Sequence, residues 1–404
     1  MIANAPSEGR RMKWASRVSD QINLRDAMDE CVAHVRAELG DVEPDLALVF
    51  VSPHHTPDFD DIPALLRKKL NPRTIIGCSG GGVIGGGREV EDRAGFALTA
   101  AMLPETELVP FHLEDGQLPT PDAGPSEWEA IVGVTADQSP DFVILPDPFT
   151  IRGEDLLAGL DYAFPGRVKV GGLASGSPRG GGNVLYANDA VHHSGAVGLA
   201  IHGNILVETI VAQGCRPIGQ PVVVTKCNQN VLLELDDRKT LEVLREIFEA
   251  SKDRDQALIN RALHLGVVND PLKEEFHPGD FLIRNVIGIH KETEGIAVGE
   301  LLREGQVVQF HVRDAITAEE DLQTMLRQYA DGNAPQDESG ALLFSCLGRG
   351  VHLFGKPDHD TDIFREEVGP LSLGGFFCNG EIGPVGPGTY LHGFTSSFAI
   401  FRPR

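Results

Sequence analysis

The sequence predicts an α/β protein with mixed sheets, built from three β–crossover–β–hairpin–β repeats in two packed halves. Three observations carry this. An apolar strand ending in a small, Gly-rich loop occurs three times: Ile75-Ile76-Gly77-Cys78-Ser79-Gly80-Gly81-Gly82, Val170-Gly171-Gly172-Leu173-Ala174-Ser175-Gly176 and Phe376-Phe377-Cys378-Asn379-Gly380-Glu381-Ile382-Gly383. A further strand follows each, at Gly95–Leu98, Gly195–Leu199 and Gly393–Ser396. Another precedes each, at Leu46–Val51, Phe142–Leu145 and Ala341–Ser345. Between the preceding strand and the loop lies a stretch able to form the crossover that a parallel pair requires. Loops that recur at strand ends can gather into one site.

The elements follow in order. Residues 1–12 read as a disordered extension, and Met12 as a natural start. Leu24, Met28, Cys31, Val32, Val35 and Leu39 share one helical face behind an Asn23 cap, which makes Cys31 a core residue. The first repeat spans Pro44 to Leu113, and the Pro/Asp/Gly stretch Pro119–Pro125 separates it from a second, Trp128 to Gly214. Thr225–Leu235 reads as one strand and Leu241, Leu244, Ile247 and Phe248 as a helix. A β-meander is expected at Phe281–Ile283, Ile296–Val298 and Gln306–Val312. Thr317-Ala318-Glu319-Glu320 has the form of a capping box, and its helix leads to the third repeat. The division expected is an N-terminal domain at 13–224 and a C-terminal domain at 225–404.

Composition narrows the function. The chain has 404 residues, 41% apolar and 23% charged, with a net charge of −24. That charge repels phosphate backbones and anionic bilayers, so neither nucleic acid nor membrane insertion is expected. Six cysteines without C-x-x-C spacing, and no apolar leader, fit a reducing cytoplasmic setting.

Gly80-x-Gly82-x-x-Gly85 formally matches the dinucleotide fingerprint, but that motif needs a following helix to receive the pyrophosphate. Gly86-Gly87 and a charged stretch follow instead, which points to a hairpin or a backbone nest for a small anion. The histidines at 54–55, 192–193, 352 and 359 lack metal-ligand spacing, so no metal or cofactor is expected. Cys346 has Arg349 three residues on and is the candidate nucleophile; Cys78 and Cys378 also sit at strand ends. Asn379 suits a turn, whereas Glu381 stands among apolar residues without a structural reason.

Three runs resemble the FIST family, which pairs a FIST N with a FIST C domain. They are Ile76-Gly77-Cys78-Ser79-Gly80, Leu343-Phe344-Ser345-Cys346-Leu347-Gly348-Arg349-Gly350, and Phe376 to Pro384 followed by Leu391-His392-Gly393-Phe394. Phe281 to Ile289 also looks like the family's C domain. The resemblance implies a sensory module for small ligands such as amino acids. The sequence shows no accompanying output domain, so a separate partner protein is expected to carry the signal. The ligand site is expected from His54, Cys78, Ser79, Gly80, Ser175, Cys346, Arg349, Asn379 and Glu381. Arg349 would pair with a ligand carboxylate and Glu381 with an amine. The alternatives are a protein-interaction adaptor, as in eukaryotic relatives that carry an F-box, and a cysteine-dependent enzyme.

Overall fold

The computed structural model describes residues 11–269, 273, 275, 276, 279–290, 292–333 and 338–404. Two compact units emerge, interleaved along the sequence. One takes the described residues of 1–211, 325–391 and 396–404, and the other those of 212–324 and 392–395.

The α/β class holds, and the first unit contains three six-stranded mixed sheets. Each is centred on a parallel pair: Leu46–Val51 with Thr74–Ser79, Asp141–Pro146 with Lys169–Gly172, and Gly340–Cys346 with Ser372–Cys378. The parallel partners are joined by helical crossovers, Ile62–Lys69, Gly153–Ala163, and Gly350–Phe354 with His359–Glu367. An antiparallel strand lies on the other side of each pair: Phe96–Met102, Ala196–Gly203 and Ser396–Arg402. One glycine recurs at the same register position. A Cβ at Gly77, Gly171 or Gly375 would sit 1.9 Å from the carbonyl oxygen of Val49, Ile144 or Leu343, so any larger residue forces the paired strands apart.

The hairpins complete the sheets by exchange. The hairpin after the first loop, Gly82–Gly85 with Arg88–Glu91, adds to the third sheet beside Ser372–Cys378. The one after the second loop, Leu185–Ala187 with Ala190–His192, adds to the first sheet beside Thr74–Ser79. The one after the third loop, Glu381–Val385 with Gly388–His392, adds to the second sheet beside Lys169–Gly172. The exchange is cyclic. Its polar anchors are similar, each joining a hairpin to the receiving sheet or its crossover. Thr389 bonds Asp161 through both N–H and Oγ1, Tyr186 donates to the Phe59 carbonyl, and Thr361 N–H donates to Glu89.

Local chemistry accounts for the elements. Helix Leu24–Leu39 starts where Asn23 Oδ1 accepts the N–H groups of Arg25 and Asp26, and ends at Gly40 with φ +86°. Cys31 is fully buried on its inner face. Gly86 and Gly87, both at positive φ, form the turn of the first hairpin, so no helix follows the formal fingerprint. Phe50 and Phe376 stack with ring centroids 4.8 Å apart, joining the cores of the first and third sheets.

The second unit is built on a seven-stranded sheet in the order Cys215–Asn228, Val307–Arg313, Leu263–Val268, Phe281–His290, Gly295–Val298, Val231–Leu235, Arg238–Lys239. Three sequence expectations change here. Thr225–Leu235 is not one strand; the chain reverses near Gln229 (φ +53°) and the two arms pair. The meander is interrupted, because Val307–Arg313 pairs with Leu263–Val268 and Cys215–Asn228 rather than with Gly295–Val298. The helix expected to open at Thr317 runs Ala315–Gly332, and Asp314 receives the Thr317 N–H at 2.9 Å. An acidic side chain one turn earlier outcompetes the threonine as cap. Leu241 to Phe248 fall on helix Thr240–Ala250 as expected.

Candidate functional site

The three Gly-rich loops follow the C-terminal ends of the three parallel pairs, where α/β sheets usually carry their ligands. They meet at Ser175. Its Oγ accepts the Gly81 N–H at 2.9 Å and donates to the Phe377 carbonyl, so one hydroxyl ties the second loop to the first and third. Its own N–H donates to the Ser79 carbonyl at 3.1 Å. The backbone adds Leu173 N–H to Gly380 O at 2.9 Å, Asn379 N–H to Leu173 O at 3.1 Å, and Leu347 N–H to Cys378 O at 3.0 Å. Counting from the recurrent register glycine, Gly81, Ser175 and Asn379 occupy the same step of their loops, four residues after Gly77, Gly171 and Gly375.

Ser79, Gly80, Ser175, Cys346 and Asn379 therefore come together. Ser79 is fully buried; its Oγ donates to Asn183 Oδ1 at 3.2 Å and accepts the Val184 N–H at 3.1 Å. Asn183 in turn bonds the buried Asp147 at 2.7 Å and receives the Ser177 N–H at 2.8 Å. Gly80 leaves no room for a side chain, since a Cβ there would meet the Phe376 ring at 2.9 Å. Asn379 is exposed, Cys346 partly exposed, and Leu347 37% exposed. Together with Gly81 and Gly176 they supply the accessible surface at the junction. Cys78 and Cys378 lie beneath it, fully buried, and burial pushes both thiols well above their ordinary range.

The charged residues are placed differently. Arg349 is expected beside a ligand carboxylate, but its guanidinium is fully buried and holds Asp360 through Nε at 2.8 Å and Nη2 at 3.0 Å. Asp360 also accepts from Ser345 Oγ at 3.2 Å and Ser396 Oγ at 2.5 Å, with His359 Nδ1 at 2.9 Å. Burial alone would raise this carboxyl; Arg349 and the hydrogen bonds overcome it and hold Asp360 far below the usual carboxylate range. Glu381 is fully buried at the start of its hairpin, opposite Gly172. His54 is exposed on the 3-10 segment Pro53–Asp61, with Nδ1 3.4 Å from Ser52 Oγ.

Sequence reading missed the buried carboxyl at Glu89. It is 3% exposed; Oε1 accepts the Thr361 N–H at 2.9 Å, while Oε2 is buried without a hydrogen-bond partner. Burial first, then the neighbouring Asp360 charge, raises its pKa to about 8. The signal available was a Glu flanked by an alternating strand pattern, Arg88-Glu89-Val90-Glu91, which reads equally well as a solvated edge. Among the described residues no group of three His, Cys, Asp or Glu side chains is arranged to hold a metal ion. No helix among them is long and apolar enough to cross a membrane.

Residues 45–238 match the FIST N domain and residues 240–384 the FIST C domain. An uncharacterized protein of Mycobacterium tuberculosis is 37% identical over 392 residues, covering 96% of this chain and all of that protein. One from Mycobacterium bovis is 35% identical over 384 residues, 94% of this chain and 96% of its own. Among solved structures, cyanuric acid hydrolase from A. caulinodans aligns over 97% of this chain and 99% of its own at 7% identity, with a TM-score of 0.36.

Proposed function

The chain belongs to the FIST family, whose domains are generally sensory and bind small ligands, and from that premise we propose that it binds a small polar metabolite, such as an amino acid, where the three strand-end loops meet. The signal then passes to a separate protein. One observation carries the reading: a single hydroxyl, Ser175 Oγ, fastens loops from all three parallel pairs into one surface. Loops held this way are preorganised, which lowers the entropy cost of binding. Asn379, exposed at the junction, brings an amide that both donates and accepts. In this reading Arg349 supports the site from below by fixing Asp360 and the strand end, and does not touch the ligand.

A thermal-shift screen against amino acids and small carboxylates tests the proposal. A binding ligand raises the melting temperature of the wild type, and Asn379→Ala abolishes that rise without lowering the unliganded melting temperature. The reading fails if no compound stabilises the protein, or if the rise survives in both Asn379→Ala and Ser175→Ala.

One observation favours the adaptor as a second reading. Ile287 and Ile289 alternate on one face of strand Phe281–His290 and are 66% and 62% exposed. Partner capture that is lost in an Ile287→Asp, Ile289→Asp double variant supports it; capture unchanged by that variant removes it.

A further inference from the structure

We infer that Cys346 and Cys378 form a reversible disulfide in response to hydrogen peroxide. The two residues stand directly opposite each other in the parallel ladder of the third sheet. Opposed residues on neighbouring strands project from the same face, and the strands lie about 4.8 Å apart. Both are thiols in the structure. A relaxed disulfide takes Cα atoms about 4.4–6.8 Å apart, a range that includes this spacing, so the register permits the bond. Cys346 is partly exposed, and exposure places such a bond among the readily reduced, regulatory disulfides rather than the permanent ones.

The two thiols are unequally placed. Cys346 is partly exposed and begins the turn that its carbonyl closes by accepting the Arg349 N–H at 2.8 Å. Cys378 is fully buried, and burial, reinforced by the nearby Glu381, keeps it protonated. Cys346 therefore meets the oxidant and Cys378 resolves the product. The Cys346 thiolate attacks one peroxide oxygen, the O–O bond breaks, and the departing hydroxide takes a proton to become water, leaving a sulfenic acid. The Cys378 sulfur then attacks the Cys346 sulfur. The S–O bond breaks, and the leaving hydroxide carries off the Cys378 proton as a second water. The two sulfurs lose two electrons and the peroxide gains them.

The bond would act on the loop junction. The Leu347 N–H to Cys378 O bond and the Ser175 bond to Phe377 O attach at the same strand ends. The thiol chemistry stands whether or not a metabolite binds there. Cys78 is the competing partner, because it shares the buried cluster with Cys378 and contributes to its raised pKa.

The test is peptide mapping of the full chain after graded hydrogen peroxide, unfolding and alkylation. The expected result is a loss of two hydrogens in a cross-linked species joining the Cys346 and Cys378 peptides, reversed by dithiothreitol. In Cys378→Ser, oxidation stops at a sulfenic acid on Cys346 that dimedone traps. A Cys78–Cys378 link, full alkylation of both thiols after peroxide, or direct passage of wild-type Cys346 to sulfinic acid overturns the inference. Mapping of the wild type decides the matter if the serine variant does not fold.

Discussion

Replacing Glu89 by Gln should make the protein more stable and remove part of its pH dependence. Glu89 is 3% exposed, shares its pocket with the Asp360 charge, and has a folded-state pKa raised from 4.5 to about 8. The unfolded chain releases this proton near the ordinary glutamate value, while the folded chain keeps it until about pH 8. Between those limits the folded state binds more protons, so its stability falls as pH rises from about 4.5 to about 8 and then levels off. At about 1.4 kcal/mol per pH unit, the accumulated penalty is about 3 kcal/mol at pH 7 and about 5 kcal/mol by pH 8. Gln keeps an oxygen for the Thr361 N–H and places an amide donor beside the negative Asp360, so it should recover about 1–3 kcal/mol at neutral pH. Urea unfolding of both proteins at about pH 5, 7 and 8.5 measures this. The wild-type midpoint should fall across the series, and the Glu89→Gln midpoint should fall less. Parallel curves, or a variant less stable than wild type at every pH, would show that the carboxyl is not held protonated.

Removing the carboxylate of Asp360 leaves the Arg349 charge buried without its bidentate partner, and Asp360→Ala should cost about 3–5 kcal/mol. Urea unfolding reads this, and a loss under about 1 kcal/mol contradicts the assignment. In the second unit His264 and His311 face each other across paired strands, and burial lowers both pKa values to about 4. For His264, the Arg313 and His311 charges add to the effect. The unfolded histidines take up protons near pH 6.5, so stability is full above about 6.5 and declines as pH falls toward about 4. Amide exchange in Leu263–Val268 and Val307–Arg313 should accelerate over that range; exchange there that ignores pH apart from the intrinsic rate would refute it.

Much of the fold was legible because its signals are local. Apolar strand, small loop and apolar strand are consecutive in sequence, and the Asn23 cap needs only the next three residues. What was hidden depends on contacts between distant residues. Turn glycines announce the hairpin at Gly82–Glu91 but say nothing about which sheet edge will accept it. Glu89 meets Thr361 across 272 residues and Asp360 meets Ser396 across 36, so neither pairing leaves a periodicity to read. The candidate site divided on the same line. Ser79, Gly80 and Ser175 are expected at one place because loops at strand ends converge by topology, and the Ser175 N–H bond to the Ser79 carbonyl brings these loops together. Arg349 and Glu381 were singled out for charge amid apolar neighbours, but that pattern also marks a buried, internally compensated group, and Arg349 is one. The hydrogen bonds of Ser175 to Gly81 and Phe377 leave no mark in the sequence, because a lone serine in a glycine loop has no distinguishing pattern until its partners are known.

The exchange of hairpins sets a timetable for synthesis. The first sheet can finish once residue 192 has emerged, because its borrowed hairpin comes from the second loop. The second must wait for residues 381–392. The third is slower in a different sense. Its hairpin, residues 82–91, is made early and has no edge to join until Ser372–Cys378 leaves the ribosome. Between residues 192 and 372 the Lys169–Gly172 edge and the early hairpin both lack their partners, which is the condition under which nascent β structure recruits the wrong neighbour. An interval of exposure for that early hairpin, lasting until Ser372–Cys378 is made, is thus encoded in the order of the strands.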